Sequence, residues 1–367
     1  MRKHHPDNER LKHKYFVFLK EAKRQNEASV DAVAKAISRF ENYTKWKNFK
    51  AFHVNQATGF KAHLAKHRNA RTGAAISKAT MNSTLRALKA FFQWMALQPG
   101  YKSRVSYTDA EYFNLSEKDA RIATAKRQKA PPTLEQVKRV IAVMPNETVI
   151  ERRNRALVAF TLLTGARDSA IASIKLKHVD FEDGSVFQDA REVRTKASKT
   201  FTTWFFPVGN EVRQIVWEWM RYLKEELLFG LDDPLFPKTD VQRVASGVFE
   251  PVGISRAHWS TATPIRKIFK EAFERADLPY FNPHSFRKTL AVLGESACQS
   301  PEAFKAWSQN LGHDGVLTTF LSYGEVQPAR QSEIFKTFQR PCTPREAHDV
   351  DALAKALARE MRAQERP

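Results

Sequence analysis

Between Asn42 and Thr108 the chain carries twelve Lys and Arg and not one Asp or Glu. A helical surface that is merely solvated interleaves acids with its bases, because like charges on neighbouring turns repel. Here the acids are missing, so the stretch calls for a polyanion beside it. It does not read as a disordered basic tail. Tyr43, Trp46, Phe49, Phe52, Phe60, Phe91, Phe92 and Trp94 interrupt it, and aromatics at that density need a core to bury them. Residues 1–129 hold 27 basic and 10 acidic residues, a net +17, while residues 130–367 hold 33 and 30, a net +3. The formal +20 of this 367-residue chain therefore sits almost wholly in its first third. A nucleic acid is the expected partner. A membrane surface would also attract such charge, but no Lys/Arg-faced helix with a wide apolar face is evident.

The length suggests two domains, and 42 % hydrophobic residues suffice for a large core. Two cysteines, Cys298 and Cys342, exclude a disulfide scaffold and a cysteine-rich zinc module. No apolar run approaches the ~20 residues of a membrane span, and Met1–Asp7 lead into no secretory h-region. A soluble, cytoplasmic protein is expected.

The first part reads as helices. Val30, Val33, Ile37 and Phe40 form one apolar stripe; Met81, Leu85, Leu88, Phe92 and Met95 form another, with Arg86 off its face. Pro99-Gly100 ends that helix. A basic stretch from Arg121 to Lys129 runs into Ala130-Pro131-Pro132, which reads as a stiff linker. Thr133 then caps a new helix with Gln136 in the capping-box position. An apolar helix from Arg153 to Leu163 ends on Gly165, and Asp168 or Ser169 can cap the next. Residues 178–208 suggest a small antiparallel sheet, with turns at Glu182-Asp183-Gly184 and at Lys196–Lys199. Helices are expected near Glu211–Leu228, Pro264–Ala276, Pro283–Ala297, Pro301–Leu311 and Leu317–Tyr323. A last one, Asp349–Arg366, has acids first and bases last, as the helix dipole prefers.

Several residues invite chemistry, and each has an ordinary alternative. In Asn282-Pro283-His284-Ser285-Phe286-Arg287, Asn and Pro start a helix and place His284 and Arg287 on one face of its anion-favouring end. A proton carrier beside a bidentate phosphate clamp suits a phosphodiester, though the spacing is also common among surface residues. Arg167, just past a glycine turn, could cap a helix or point into a cleft. Lys196 could be a solvated hairpin charge, His313 a helix-terminal cation, and Tyr323 a core residue.

Their order is less ordinary. Arg167, Lys196, His284-x-x-Arg287, Leu311-Gly312-His313 and Tyr323, behind a basic helical part and a Pro-Pro linker, resemble the tyrosine recombinase (phage integrase) family. The resemblance covers about Thr133 to Gly324; ahead of the linker it is loose, with Thr80–Met95 similar to the last long helix of the family's core-binding domain.

The resemblance implies a mainly α fold with a small antiparallel β-sheet. It implies a two-domain clamp, with a helical, SAM-like core-binding domain over 1–129, a linker at 130–132, and an α+β catalytic domain over 133–340. A tail helix over 341–367 would dock either on its own domain or on a neighbouring protomer. It implies a site-specific recombinase or integrase that breaks and rejoins DNA through a 3′-phosphotyrosyl link, with no metal and no nucleotide cofactor. Tyr323 would attack, Arg167 and Arg287 would neutralise the transition state, and Lys196 would protonate the leaving 5′-oxygen, with Lys199 as competitor. His284 would act as acid/base, and His313 would donate to the phosphate. Partners would be double-stranded DNA, a homo-tetramer on two sites and accessory DNA-bending proteins, in the cytoplasm at the nucleoid, with mobile-element DNA as one setting. A type IB topoisomerase, or an idle DNA-binding protein on this fold, are the alternatives. Two departures stand out. Ala170 occupies the position of the family's acidic buttress, with Asp168 on another helix face, and the His313-to-Tyr323 spacing is one residue longer than usual.

Overall fold

The computed structural model describes residues 4–68, 73–125, 130–243 and 247–313, together with Lys355. Tyr323, Cys342 and the helices expected at Leu317–Tyr323 and Asp349–Arg366 lie outside the described residues. The chain divides into two compact units, Met1–Arg127 and Gln128–Pro367.

The first unit is helical. Its elements are α1 (Pro6–Val17, continued by a π-turn over Phe18–Ala22), α2 (Glu27–Thr44), α3 (Val54–Lys66), α4 (Lys78–Ala96) and α5 (Glu117–Thr124). Both expected stripes face inwards: Val30, Ile37 and Phe40 of α2, and all five apolar residues of α4, are buried. The helix α4 stops at Ala96, slightly ahead of Pro99-Gly100. The aromatics form a cluster in which Phe40 meets Phe60 and Phe92 edge-on at 5.3 and 5.4 Å, and Phe52 lies 4.2 Å from Phe92. Edge-to-face rings gain beyond their buried area, about 0.5–1.5 kcal/mol per pair. Glu41, the last acid before the acid-free stretch, is itself buried and holds Lys12 of α1 at 2.7 Å.

The second unit mixes helices with two small sheets. Thr133 and Gln136 cap α6 (Leu134–Val143) reciprocally, as a capping box requires. The central helix is α7 (Val149–Thr164), buried at every residue from Ala156 to Thr164. One short turn, α8 (Asp168–Ile171), follows. Strands β1 (Val179–Asp180), β2 (Ser185–Gln188) and β3 (Phe201–Trp204) form an antiparallel sheet in that order, with Val186 opposite Thr203. Then come α9 (Asn210–Glu225), a hairpin of β4 (Thr239–Arg243) and β5 (Phe249–Ile254), and the helices α10 (Thr263–Arg275), α11 (Pro283–Ala297) and α12 (Pro301–Asn310). The β4–β5 hairpin is absent from the sequence reading. Its strands are solvent-exposed along most of their length, so no apolar alternation marks them, and Pro251 interrupts the second.

Three contacts arrange the helix ends that matter below. The indole of Trp307 in α12 donates to the Leu290 carbonyl of α11 at 2.9 Å, and a Cβ at Gly294 would fall 2.5 Å from that indole nitrogen. The Thr289 hydroxyl donates to the Pro132 carbonyl at 2.6 Å, so the Pro-Pro segment is held on this unit at its second proline. Gly165 caps α7 in the left-handed conformation (φ 60°), where a Cβ would stand 3.0 Å from Leu290 and 3.2 Å from Leu311. Gly165→Ala should therefore cost roughly 1–3 kcal/mol, from the left-handed backbone and the crowding. Urea denaturation would show it as a lower midpoint at unchanged slope.

Candidate active site

Each expected site residue on the described chain sits where one element hands over to the next. The Thr164 hydroxyl accepts from the Ala166 amide at 3.2 Å and, with the Gly165 turn, delivers Arg167 to the N-cap of α8 in extended backbone. Asn282 caps α11 by accepting from the Ser285 amide, and Pro283 occupies its first turn. His284 follows, with Arg287 one turn further in. Gly312 turns the chain out of α12 (φ 64°), and His313 follows it half-buried. A Cβ at Gly312 would stand 2.7 Å from the Phe201 ring, so that turn rests directly on β3.

Arg287 is the residue that ties these ends together. It is 5 % exposed. Its two terminal nitrogens donate to the carbonyls of Gly165 and Leu311, so one side chain fixes the segments leading to Arg167 and His313. Its Nε is buried and has no partner among the described residues. Burial first, and the charge of Arg167 second, push its pKa down to about 9, which leaves it cationic at neutral pH. Its acceptors are carbonyl dipoles and carry no full negative charge. A buried guanidinium compensated only by dipoles, with a second arginine near enough to repel it, is a site prepared for an anion.

His284 shares that field. Surrounding protein, then the charges of Arg287, Arg167 and Lys288, hold its imidazole below its ordinary pKa, although much of the ring still meets solvent. It is accordingly neutral at pH 7 and able to accept a proton. Asp168 is engaged elsewhere. Its carboxylate pairs with Arg266 of α10 at 2.8 Å and so fastens α8 to α10. It caps nothing through its side chain beyond the adjacent Ser169 amide.

The β2–β3 connection carries the two candidate lysines. Lys196 is exposed at the start of the turn; Ala197 and Ser198 both take left-handed backbone (φ 56° and 51°) without any glycine. Lys199 is half-buried and lines an open groove of about 800 Å³ with Phe201, Gly312 and His313. The structure thus brings Arg167, His284 and Arg287 together, and Arg287 holds the carbonyl two residues before His313. Lys199 lines the same groove as His313, and Lys196 sits exposed on the same connection.

Asn310, Arg194 and Arg266 were not legible as site residues. Asn310 pairs with the backbone of β3 like an extra strand residue, accepting from the Trp204 amide at 2.7 Å and donating to its carbonyl at 2.9 Å. Nothing in its local sequence signals this, because the partner lies more than a hundred residues away.

In the first unit, α2 and α4 flank a groove of about 670 Å³ lined by Arg24, Lys35, Arg39, Ser83 and Thr84 among others. Arg39 donates to the Thr84 hydroxyl across it at 3.0 Å. Small polar residues edged by cations suit a phosphate backbone.

The field around His284 can be measured. By NMR titration its midpoint should lie below 6.5, and Arg167→Ala should raise it, since removing a neighbouring cation favours the imidazolium. A midpoint indifferent to Arg167 would contradict this arrangement.

Residues 133–296 match the family model described as the phage integrase family. Similar proteins include the tyrosine recombinase XerC of Anoxybacillus flavithermus, 25 % identical over 201 residues, which are 53 % of this chain and 58 % of that protein. XerC of Halalkalibacterium halodurans is 22 % identical over 267 residues, 71 % of this chain and 76 % of that one. The first match thus spans little more than half of its relative's length. Among known structures, a lambda integrase dimer bound to a COC′ core site aligns with TM-score 0.58 at 13 % identity, covering 87 % of this chain and 80 % of that one. The XerH site-specific recombinase bound to palindromic difH substrate aligns with TM-score 0.55 at 17 %, covering 88 % and 83 %. At such identities the structural likeness is one of fold. The family match covers the segment that holds Arg167, Lys196, His284 and Arg287, less than half of the chain, and that segment is similar to the phage integrase family.

Proposed function

We propose that this protein is a site-specific DNA recombinase that cuts and rejoins strands through a 3′-phosphotyrosyl intermediate. The observation that carries this reading is the convergence of Arg167 and a neutral His284 on Arg287's buried guanidinium, which no carboxylate neutralises among the described residues. A phosphodiester under attack gathers negative charge on its non-bridging oxygens, and two guanidinium forks are matched to it.

The steps follow from the side chains. The Tyr323 oxygen bonds to the scissile phosphorus while its phenolic proton passes to His284. The P–O5′ bond breaks, and Lys196 gives its proton to the departing 5′-oxygen. His313 donates a hydrogen bond to the phosphate. A 5′-hydroxyl from a partner strand then attacks the phosphotyrosine and reverses the sequence. The phosphotyrosine conserves the energy of the broken bond, so no external energy source enters. The cationic first unit supplies sequence-independent grip on duplex DNA. The remaining features belong to the same reading: a homo-tetramer on two DNA sites, accessory DNA-bending proteins, a tail helix docking on its own or a neighbouring protomer, and action in the cytoplasm at the nucleoid.

Trapping on a nicked suicide duplex tests the chemistry. Wild-type protein should leave a denaturation-resistant adduct that Tyr323→Phe abolishes; an adduct surviving in that variant would place the nucleophile elsewhere. Arg287→Met should slow cleavage by about 10²-fold or more, the usual cost of one transition-state partner. DNA affinity should fall steeply with salt, with a log–log slope near 0.9 for each phosphate neutralised. A flat response would count against electrostatic grip.

A further inference from the structure

The β2–β3 connection is pinned two residues before Lys196. The Arg194 guanidinium donates to three backbone carbonyls: Ala172 at the end of α8 (3.1 Å), and Trp259 and Ser260 just ahead of α10 (2.5 and 2.6 Å). Its own amide donates to the Ser173 hydroxyl at 2.9 Å, and that hydroxyl donates back to the Ser169 and Ala170 carbonyls within the α8 turn. The N-cap of that same turn is Arg167. A path of hydrogen bonds therefore runs from the α8 turn, whose N-cap is Arg167, to Arg194, two residues along the chain from Lys196.

The other side of the connection is tethered as well. The Ala190 amide donates to the Thr200 hydroxyl at 3.1 Å, and Glu192 pairs with Lys175 and Lys177 at 3.0 and 2.9 Å. These contacts close the base of the loop. Arg194 joins it to the turn that presents Arg167. The turn beyond needs such an anchor, because Ala197 and Ser198 occupy left-handed backbone that a free chain rarely adopts.

We propose that Arg194 is a positioning residue for the leaving-group step, holding the lysine-bearing turn in register with the Arg167 arginine site. The proposal rests on the reading in which Lys196 protonates the 5′-oxygen. General-acid catalysis demands that the proton donor come within hydrogen-bond reach of the atom it protonates, and an exposed lysine on an unanchored hairpin would spend little time there. Arg194 touches no reacting atom. It acts by removing the freedom of the loop before DNA arrives.

Sulfur in place of the bridging 5′-oxygen separates this role from ordinary structural support. A thiolate leaves without a proton, so a substrate with that one substitution no longer needs the acid. On the normal oxygen substrate, Arg194→Ala should slow cleavage by about 10²-fold, in the range of a lost general acid. On the sulfur substrate it should cleave within a few-fold of wild type, with DNA affinity unchanged. Arg194→Lys, which keeps the charge but replaces the two-nitrogen fork with a single nitrogen, should fall between. If Arg194→Ala does not fold, Arg194→Lys and Ser173→Ala carry the same comparison, with thermal melting as the check. Equal loss on both substrates by a folded variant would overturn the proposal. Lys196→Ala runs alongside. If sulfur fails to rescue it, the assignment of the acid falls. If sulfur rescues Lys196→Ala but not the Arg194 variants, the assignment stands and the positioning role alone is refuted.

Discussion

The second unit is organised around a buried cation held by two carbonyls. Arg287 reaches from α11 to Gly165 at the end of α7 and to Leu311 at the end of α12. Burying a guanidinium is costly unless dipoles or an anion replace its water. The two carbonyls replace part of that water and leave Nε for something else. Because the ends of α7 and α12 must both turn sharply to offer those oxygens, glycine stands at each turn. Gly165 is packed against Leu290 and Leu311, and Gly312 against Phe201, so the turns are fixed by sterics as well as by hydrogen bonds. Arg167 and His313 each lie two residues from one of the anchored carbonyls. Their placement is a by-product of the same interaction.

Charge in the first unit follows a different logic. The acid-free stretch of sequence is less bare in the folded unit, since Lys78 pairs with Asp119 at 2.9 Å and Lys89 with Glu111 at 2.6 Å. The acids come from just beyond the stretch, on segments that fold back over α4. Exposed pairs like these contribute little to stability, but they remove two cations from the free supply. What remains includes Lys35 and Arg39 along the groove between α2 and α4. A linear charge count therefore overstates the unpaired charge while giving its sign and its location correctly.

Legibility varied with the kind of signal. The apolar stripes of α2 and α4, the capping box at Thr133, the Gly165 cap and the Asn282-Pro283 start are local, so a few adjacent residues sufficed to read them. The three-stranded sheet was readable because β-branched and aromatic residues dominate Phe201–Val208. The β4–β5 hairpin was not, because its mostly exposed strands carry no apolar alternation. Nor were the roles of Arg194, Asn310 and Arg266, whose partners lie 21 to 107 residues away.

The sequence by itself determined the helical first unit, its cationic character and the identity of the residue types suited to a phosphodiester. Those are consequences of periodicity, composition and capping, which act over a few turns of chain. Only the tertiary structure decided that Arg287 is buried and shared between two helix ends, that His284 sits in the field of two arginines, and that Asp168 is committed to Arg266. It also decided that the lysine loop is moored through Arg194 to the helix of Arg167. Such facts depend on which distant carbonyls and charges meet in space, and burial and proximity are properties of the packed chain that no local pattern encodes.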